Sequence, residues 1–311
     1  MIRLAKKRRY WFIIIFAAIF LFLFLTVSSC ITLFTGINSE SLPGNVAVIP
    51  IKGVILSEKG SLLFEEVVSS PEIIRLIEKA DNNDKIKAIV FEINSPGGSA
   101  VASDEIGQAV KKTKKPTVAW IRELGASGGY WIASASDHII ANRMSITGSI
   151  GVISSYLEFS GFLDRYNITY QRLVSGKYKD LGSPYKPLEF DEKQVFQEKL
   201  DTIHSYFIDE VAANRNLSRD QVAELATGIF YLGVEAKEFG LVDELGGETE
   251  LKEYMKKTIG TEPEFVEYKS KITILDMISQ ALSGQSFFIG KGIGSAMFSK
   301  ARTFERMEIF T

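Results

Sequence analysis

The sequence predicts an α/β fold with a mostly parallel sheet, preceded by one apolar N-terminal helix. Three observations lead there. Short runs of Val, Ile and Ala alternate with amphipathic helical segments between residues 46 and 135. The run at 86–93 is mostly apolar rather than strictly alternating, as in a strand covered on both faces. Two glycine-rich loops, at 94–99 and 125–129, follow strands, and the sites of parallel sheets lie at strand carboxyl ends.

The N-terminus carries Lys6, Lys7, Arg8 and Arg9, then an uncharged apolar run over 10–34. That run is long enough to span a bilayer. The basic cluster predicts a cytoplasmic N-terminus and an extracytoplasmic remainder, at a cell membrane crossed once. Val27-Ser28-Ser29-Cys30 resembles a lipoprotein processing site with Cys30 as acceptor. The apolar run continues past Cys30 and exceeds a signal core of about 7–15 residues, so an uncleaved anchor is expected. The organisation read from the sequence is a basic segment and anchor over 1–36, a linker over 37–44, the main domain over 45–261, and a tail over 262–311 with no assigned role.

Residues 46–51 read as a strand, continued by 53–56 after a kink. Within 57–70, Leu62, Leu63 and Phe64 form an apolar loop. Ser70-Pro71-Glu72 opens a helix, with proline at its first position and an acid near its positive end. Its apolar face is Ile73, Ile74, Leu76 and Ile77, and it ends near Asn82-Asn83. The strand at 86–93 runs into Asn94-Ser95-Pro96-Gly97-Gly98-Ser99. A helix is expected over 103–112 with Ser103 as N-cap. The strand at 116–121 leads to Ser127 and a small-residue helix.

Further on, 137–140 reads as a short strand, 145–152 as a tight loop, and 168–174 as a strand ending at 175–180. A long amphipathic helix is predicted over 191–214, with Val195, Phe196, Leu200, Ile203, Phe207 and Val211 on one face. Ser218 caps another helix, and 236–247 closes the compact part with Gly240 as a C-cap. Ile272, Ile274, Leu275, Ile278 and Leu282 make the tail partly apolar. Docking on a partner protomer, membrane contact and disorder all stay open for it.

The 311-residue chain has a net charge of −2, so nothing in its global charge points to nucleic acid. One cysteine excludes an internal disulfide or a thiolate metal cluster, and two histidines argue against a multi-histidine zinc site. The G-x-S-x-G stretch Gly125-Ala126-Ser127-Gly128-Gly129 presents a serine hydroxyl with little bulk around it. His138 follows too closely to be the late histidine of that motif. His204 lies mid-helix beside an apolar face and reads as structural. A neutral lysine is the other route, but ordinary lysine titrates at about 10.4, so burial or a neighbouring cation must lower it. Lys179, with Lys177 beside it, fits at a strand end. The residues alone leave both bases open. Backbone N–H groups for an oxyanion can come from the Pro96-Gly97-Gly98 loop and from Gly128. The phosphate-loop pattern is absent.

Five pieces in order carry a family resemblance: Asn94-Ser95-Pro96-Gly97-Gly98, Ala126-Ser127-Gly128-Gly129-Tyr130, Thr147-Gly148-Ser149-Ile150-Gly151, Gly176-Lys177-Tyr178-Lys179-Asp180 and Gly240-Leu241-Val242-Asp243. Over roughly 46–247 the chain resembles signal peptide peptidases of the SppA type, membrane-anchored serine proteases with the ClpP/crotonase fold. The resemblance implies repeated β-β-α units and a Ser–Lys endopeptidase without metal or cofactor. Ser127 matches the nucleophile, Lys179 rather than Lys177 the general base, Gly98 the oxyanion glycine, and Ser149 a serine that orients the lysine. It also implies a homo-oligomeric ring or dome in which the lysine can reach a neighbour's serine. The substrates implied are extended peptides, among them remnant signal peptides and unfolded segments. The segment between Gly98 and Ser127 is shorter than the family's, and the tail matches no motif. The rival readings are an esterase-like hydrolase using Ser127 and His204, and a non-catalytic membrane scaffold. A crotonase-type acyl-CoA enzyme is set aside, because an extracytoplasmic site lacks that cofactor.

Overall fold

The structure, a computed structural model, describes residues 19–22, 24, 44–58 and 66–269. The expected processing site at Cys30, nearly all of the anchor and linker, the loop at Leu62–Phe64 and the tail beyond 269 lie outside these residues. No helix among the described residues is long and apolar enough to cross a membrane.

Strand β1 (Val46–Leu56) lies in the sheet next to β3 (Ala88–Gly98), followed by β4 (Thr117–Ala126), β5 (His138–Ala141) and β8 (Glu244–Leu245). On its other side β1 carries β2 (Val67–Ser69) and β9 (Phe265–Glu267). All these pairings are parallel. The α/β class with a mostly parallel sheet is the one the sequence predicts. Pro50 has no N–H to give and is tolerated on the outer side of β1, between the stretches paired with β9 and β2. The expected kink is a bulge at Gly53, with φ +86°.

Helices α1 (Ser70–Asp81), α2 (Ala100–Lys111) and α3 (Gly128–Ser134) cover one face of the sheet. Ile89, Phe91 and Ile93 of β3 are fully buried there, each worth about 1.5–3 kcal/mol of transfer free energy. The other face packs Val46, Ala88, Val90, Val118 and Ile140 against Leu251 and Met255 of the C-terminal helix (Glu248–Ile259). That division explains why β3 reads as a nearly continuous apolar run.

Several boundaries differ from the expectations. The first α2 cap is Ser99, whose hydroxyl accepts from the Ala102 N–H, and Ser103 sits inside the helix, donating back to the Ser99 carbonyl at 2.9 Å. The expected loop at 145–152 contains a strand, β6 (Ile146–Gly148), parallel to the end of β4 and antiparallel to β7 (Phe230–Leu232). The expected strand at 168–174 is absent; this stretch is irregular and exposed. Its β-like composition finds no neighbouring strand among the described residues. After α4 (Ser160–Arg165), helix α5 (Phe190–Arg215) matches the expected long helix. Its buried apolar side chains, Phe207, Ile208, Val211 and Ala212, all lie in the C-terminal half, while Glu192 is buried in the first turn. The compact part does not close at 247, because β9 pairs with β1 and Val266 is buried.

Candidate active site

Ser127 stands between the end of β4 and the start of α3, half-buried, with φ 51° and ψ −123°. A non-glycine residue there costs about 1–3 kcal/mol, so the surroundings must impose it. They do so from both sides. The Ser127 N–H donates to the Gly148 carbonyl at 2.8 Å, and the Ser127 carbonyl accepts from the Trp131 N–H at 2.9 Å. Every residue of α3 is buried. The turn is thus locked between β6 and a helix that has no freedom to shift.

The Pro96-Gly97-Gly98 loop closes over this turn. A Cβ on Gly97 would lie 2.6 Å from the Gly128 nitrogen and 2.9 Å from the Ser127 Cβ. Gly97 also has φ +98°, so glycine is required twice over. A Cβ on Gly98 would lie 2.0 Å from the Ile55 carbonyl oxygen. The Gly98 nitrogen is 3.3 Å from where a Cβ on Gly128 would be. Gly97, Gly98, Ser127 and Gly128 therefore form one backbone cluster, with Ser103 buried beneath Gly128.

Ser149 is the neighbour of Ser127 across the β4–β6 pairing, since Ala126 faces Gly148 in register. It shares the same φ of 51°. Its hydroxyl donates to the Gly228 carbonyl at 3.3 Å and its N–H to the Ile229 carbonyl at 2.9 Å.

The two histidines fall elsewhere. His138 pairs with Val118, nine residues back along β4 from Ser127, roughly 25–30 Å away at about 3.3 Å per residue. It stacks on Tyr254 with ring centroids 3.9 Å apart, and its Nε2 is 3.3 Å from Glu244. His204 lies on α5 one turn before Phe207, which stacks on Trp131, and its Nε2 is buried without a hydrogen-bond partner among the described residues. The structural reading given to His204 agrees with its position, and His138 lies too far from Ser127 to serve it within the chain.

Lys179 is exposed and bonds to neither Ser127 nor Ser149 within the chain. Lys177 pairs with Asp191 at 2.6 Å. That hydrogen bond, reinforced by Tyr178, holds the Lys177 ammonium above the ordinary lysine range. Asp180 is engaged by Arg172, with an Nη2 contact of 2.8 Å, and is held below the usual carboxylate range by it. The segment 151–189 carrying these residues exposes Ile153, Leu157, Phe162 and Leu173, the last at 96%. Among the described residues no group of three or more His, Cys, Asp and Glu is arranged to hold a metal ion.

A sequence model of peptidase family S49 matches residues 109–262, and one of the N-terminal domain of NfeD1b matches residues 45–158. A Methanocaldococcus jannaschii chain named as a protease is 33% identical over 245 residues, 76% of this chain and 77% of its own. The chain belongs to peptidase family S49. A second relative, from Enterococcus faecium and named as a signal peptide peptidase of the SppA type, is 36% identical over 234 residues, 73% of this chain and 68% of its own. Among solved structures, a mutant of the 1510-N membrane-bound stomatin-specific protease with a substrate peptide aligns at TM-score 0.50 and 18% identity. It covers 78% of this chain and 100% of that one, and shares the fold. The protein is an S49 serine protease, as the five sequence pieces imply.

Two residues beside the Ser127 turn have a place that the sequence reading does not give them. Ser95 lies in a motif whose glycines alone are read for the site, and Ser103 is expected only as a cap.

Proposed function

We propose that the chain is a membrane-anchored Ser–Lys endopeptidase whose catalytic domain lies outside the cytoplasm. It cleaves remnant signal peptides and other extended or unfolded peptides. The observation that carries this reading is the strained Ser127 turn, held against the Gly97–Gly98 loop and Gly128. Ser127 Oγ attacks the scissile carbonyl, and the amide nitrogens of Gly98 and Gly128 take the developing oxyanion. The Lys179 amine accepts the serine proton and returns it to the leaving amine, after which water releases the acyl group. Ser149 orients the amine.

Within one chain Lys179 has no bond to Ser127, and its segment exposes large apolar side chains. In this reading the base comes from a neighbouring copy, and the apolar segment over 151–189 packs on that copy. Lys177 is the poorer base, because Asp191 and Tyr178 stabilise its charged form. The name of the Enterococcus faecium relative supports the substrate class, and the apolar run at 10–34 supports the anchor.

The test is hydrolysis of an unfolded protein and a fluorogenic peptide by the full chain. Wild type is expected to cleave, and Ser127→Ala and Lys179→Ala to be inactive. A fully active Lys179→Ala would remove the dyad. Full cleavage by Ser127→Ala would remove the serine mechanism.

A further inference from the structure

The buried Ser95 hydroxyl occupies the point where two breaks in the sheet meet. The β1–β3 register shifts between Lys52 and Val54, and the β3–β4 register shifts between Ile93 and Ser95. Ser95 is fully buried. Its Oγ donates to the Gly53 carbonyl at 2.6 Å and accepts from the Gly97 N–H at 3.1 Å. One hydroxyl thus joins the β1 bulge to the glycine loop that covers Ser127.

Neither end of this bridge has room to move. A Cβ on Gly53 would lie 2.0 Å from the Glu66 carbonyl oxygen, so the bulge is packed against the chain entering β2. A Cβ on Gly129 would lie 2.9 Å from the Ser95 carbonyl oxygen, so the first turn of α3 rests on Ser95 itself. Gly97 abuts Ser127 and Gly128, and Gly98 is the next residue. The orientation of the Gly98 amide therefore depends on where the Gly97 N–H is held.

We propose that Ser95 is a positioning residue for the oxyanion site: its hydroxyl ties the Pro96–Gly98 loop to the β1 bulge, so that the Gly98 amide meets the substrate carbonyl oxygen beside Ser127. This role rests on the Ser127 reading above. Ser95 touches no substrate. Its effect falls on the tetrahedral species, whose oxygen needs the aligned amide, rather than on the bound peptide.

The experiment compares full-length wild type, Ser95→Ala, Ser95→Cys and Ser127→Ala. Peptide hydrolysis gives kcat and KM. Inhibition by a peptide aldehyde of the same sequence, which adds to the serine as a hemiacetal, reports the tetrahedral state. Peptide affinity is read on the Ser127→Ala background, with and without Ser95→Ala. The expected result is a kcat lower by about tenfold or more, with aldehyde affinity falling by the same factor and KM and peptide affinity unchanged. Unchanged kcat, or aldehyde and peptide affinities that fall together, would overturn the role. Should Ser95→Ala fail to fold, Ser95→Cys gives the same comparison, since a thiol is a weaker donor and acceptor at that place. Full activity in Ser127→Ala would instead overturn the site reading and this role with it, and that outcome is separate from the others.

Discussion

Replacing Gly97 by alanine perturbs the site at its tightest point. The added methyl would lie 2.6 Å from the Gly128 nitrogen, 2.9 Å from the Ser127 Cβ and 3.0 Å from the Ala126 carbonyl oxygen. Two of those three atoms are backbone, so the strain cannot be relieved by turning a side chain. Alanine at φ +98° adds a conformational penalty. Together these predict a loss of about 2–4 kcal/mol in stability. At about 2–4 °C per kcal/mol for a domain of this size, the melting temperature drops by roughly 5–15 °C. The chemistry suffers more. Displacing the loop or Ser127 by about 1 Å costs on the order of 100-fold in kcat. Thermal unfolding and peptide hydrolysis measure the two effects on one sample. Gly161→Ala is the contrast: among the described residues nothing lies within 4 Å of its added Cβ, and at a helical position the melting temperature should not fall. Wild-type kcat and melting temperature in Gly97→Ala would refute the packing of the loop on Ser127.

Further predictions follow from other parts of the molecule. Burial pushes the Tyr130 hydroxyl above the ordinary tyrosine range, where it donates to the Leu241 carbonyl at 2.8 Å. Because the folded value is raised, its contribution is complete below the unfolded value of about 10 and is lost as pH rises above it. Denaturant unfolding of Tyr130→Phe should show a loss of about 1 kcal/mol at pH 7 and a flatter decline above pH 10 than wild type. Parallel curves would contradict this. Glu92, 8% exposed, sits 3.0 Å from Lys52 and 3.2 Å from Arg122. Removing both cations should cost about 2 kcal/mol, less than for a fully buried pair because both are partly exposed. Equilibrium unfolding of Lys52→Ala/Arg122→Ala reads this directly. His204→Ala should leave kcat unchanged; an inactive but folded variant would revive the histidine mechanism.

The glycine-rich site was legible because its constraints are local. Gly97 and Gly98 are needed where backbone approaches backbone, Gly128 where the Ser103 side chain lies against it, and each lies next to the strand end that positions it. The central strands were legible for the same kind of reason, since β3 is covered on both faces and its sequence says so. The rest depended on partners distant in sequence. β6 is three residues long and forms on the shoulder of β4, where the buried Thr147 hydroxyl donates to the Gly125 carbonyl at 2.8 Å. No pattern within residues 145–152 announces that pairing. The opposite holds at 168–174, where Ile168, Tyr170 and Val174 have strand composition but no strand beside them among the described residues, and stay exposed. Val195, Phe196 and Leu200 share the apolar pattern of α5, yet only its second half meets the core. In both places apolar patterning outruns what the described residues of the chain cover.

The central claim is a Ser127–Lys179 dyad completed between copies. The most direct measurement is peptide hydrolysis by the full-length Ser127→Ala and Lys179→Ala chains, each expressed alone and both co-expressed. The account predicts that each variant alone is inactive and that the co-expressed pair regains activity, because one copy retains the serine and its neighbour the lysine. Activity in either variant alone, or a co-expressed assembly that stays inactive, would contradict it.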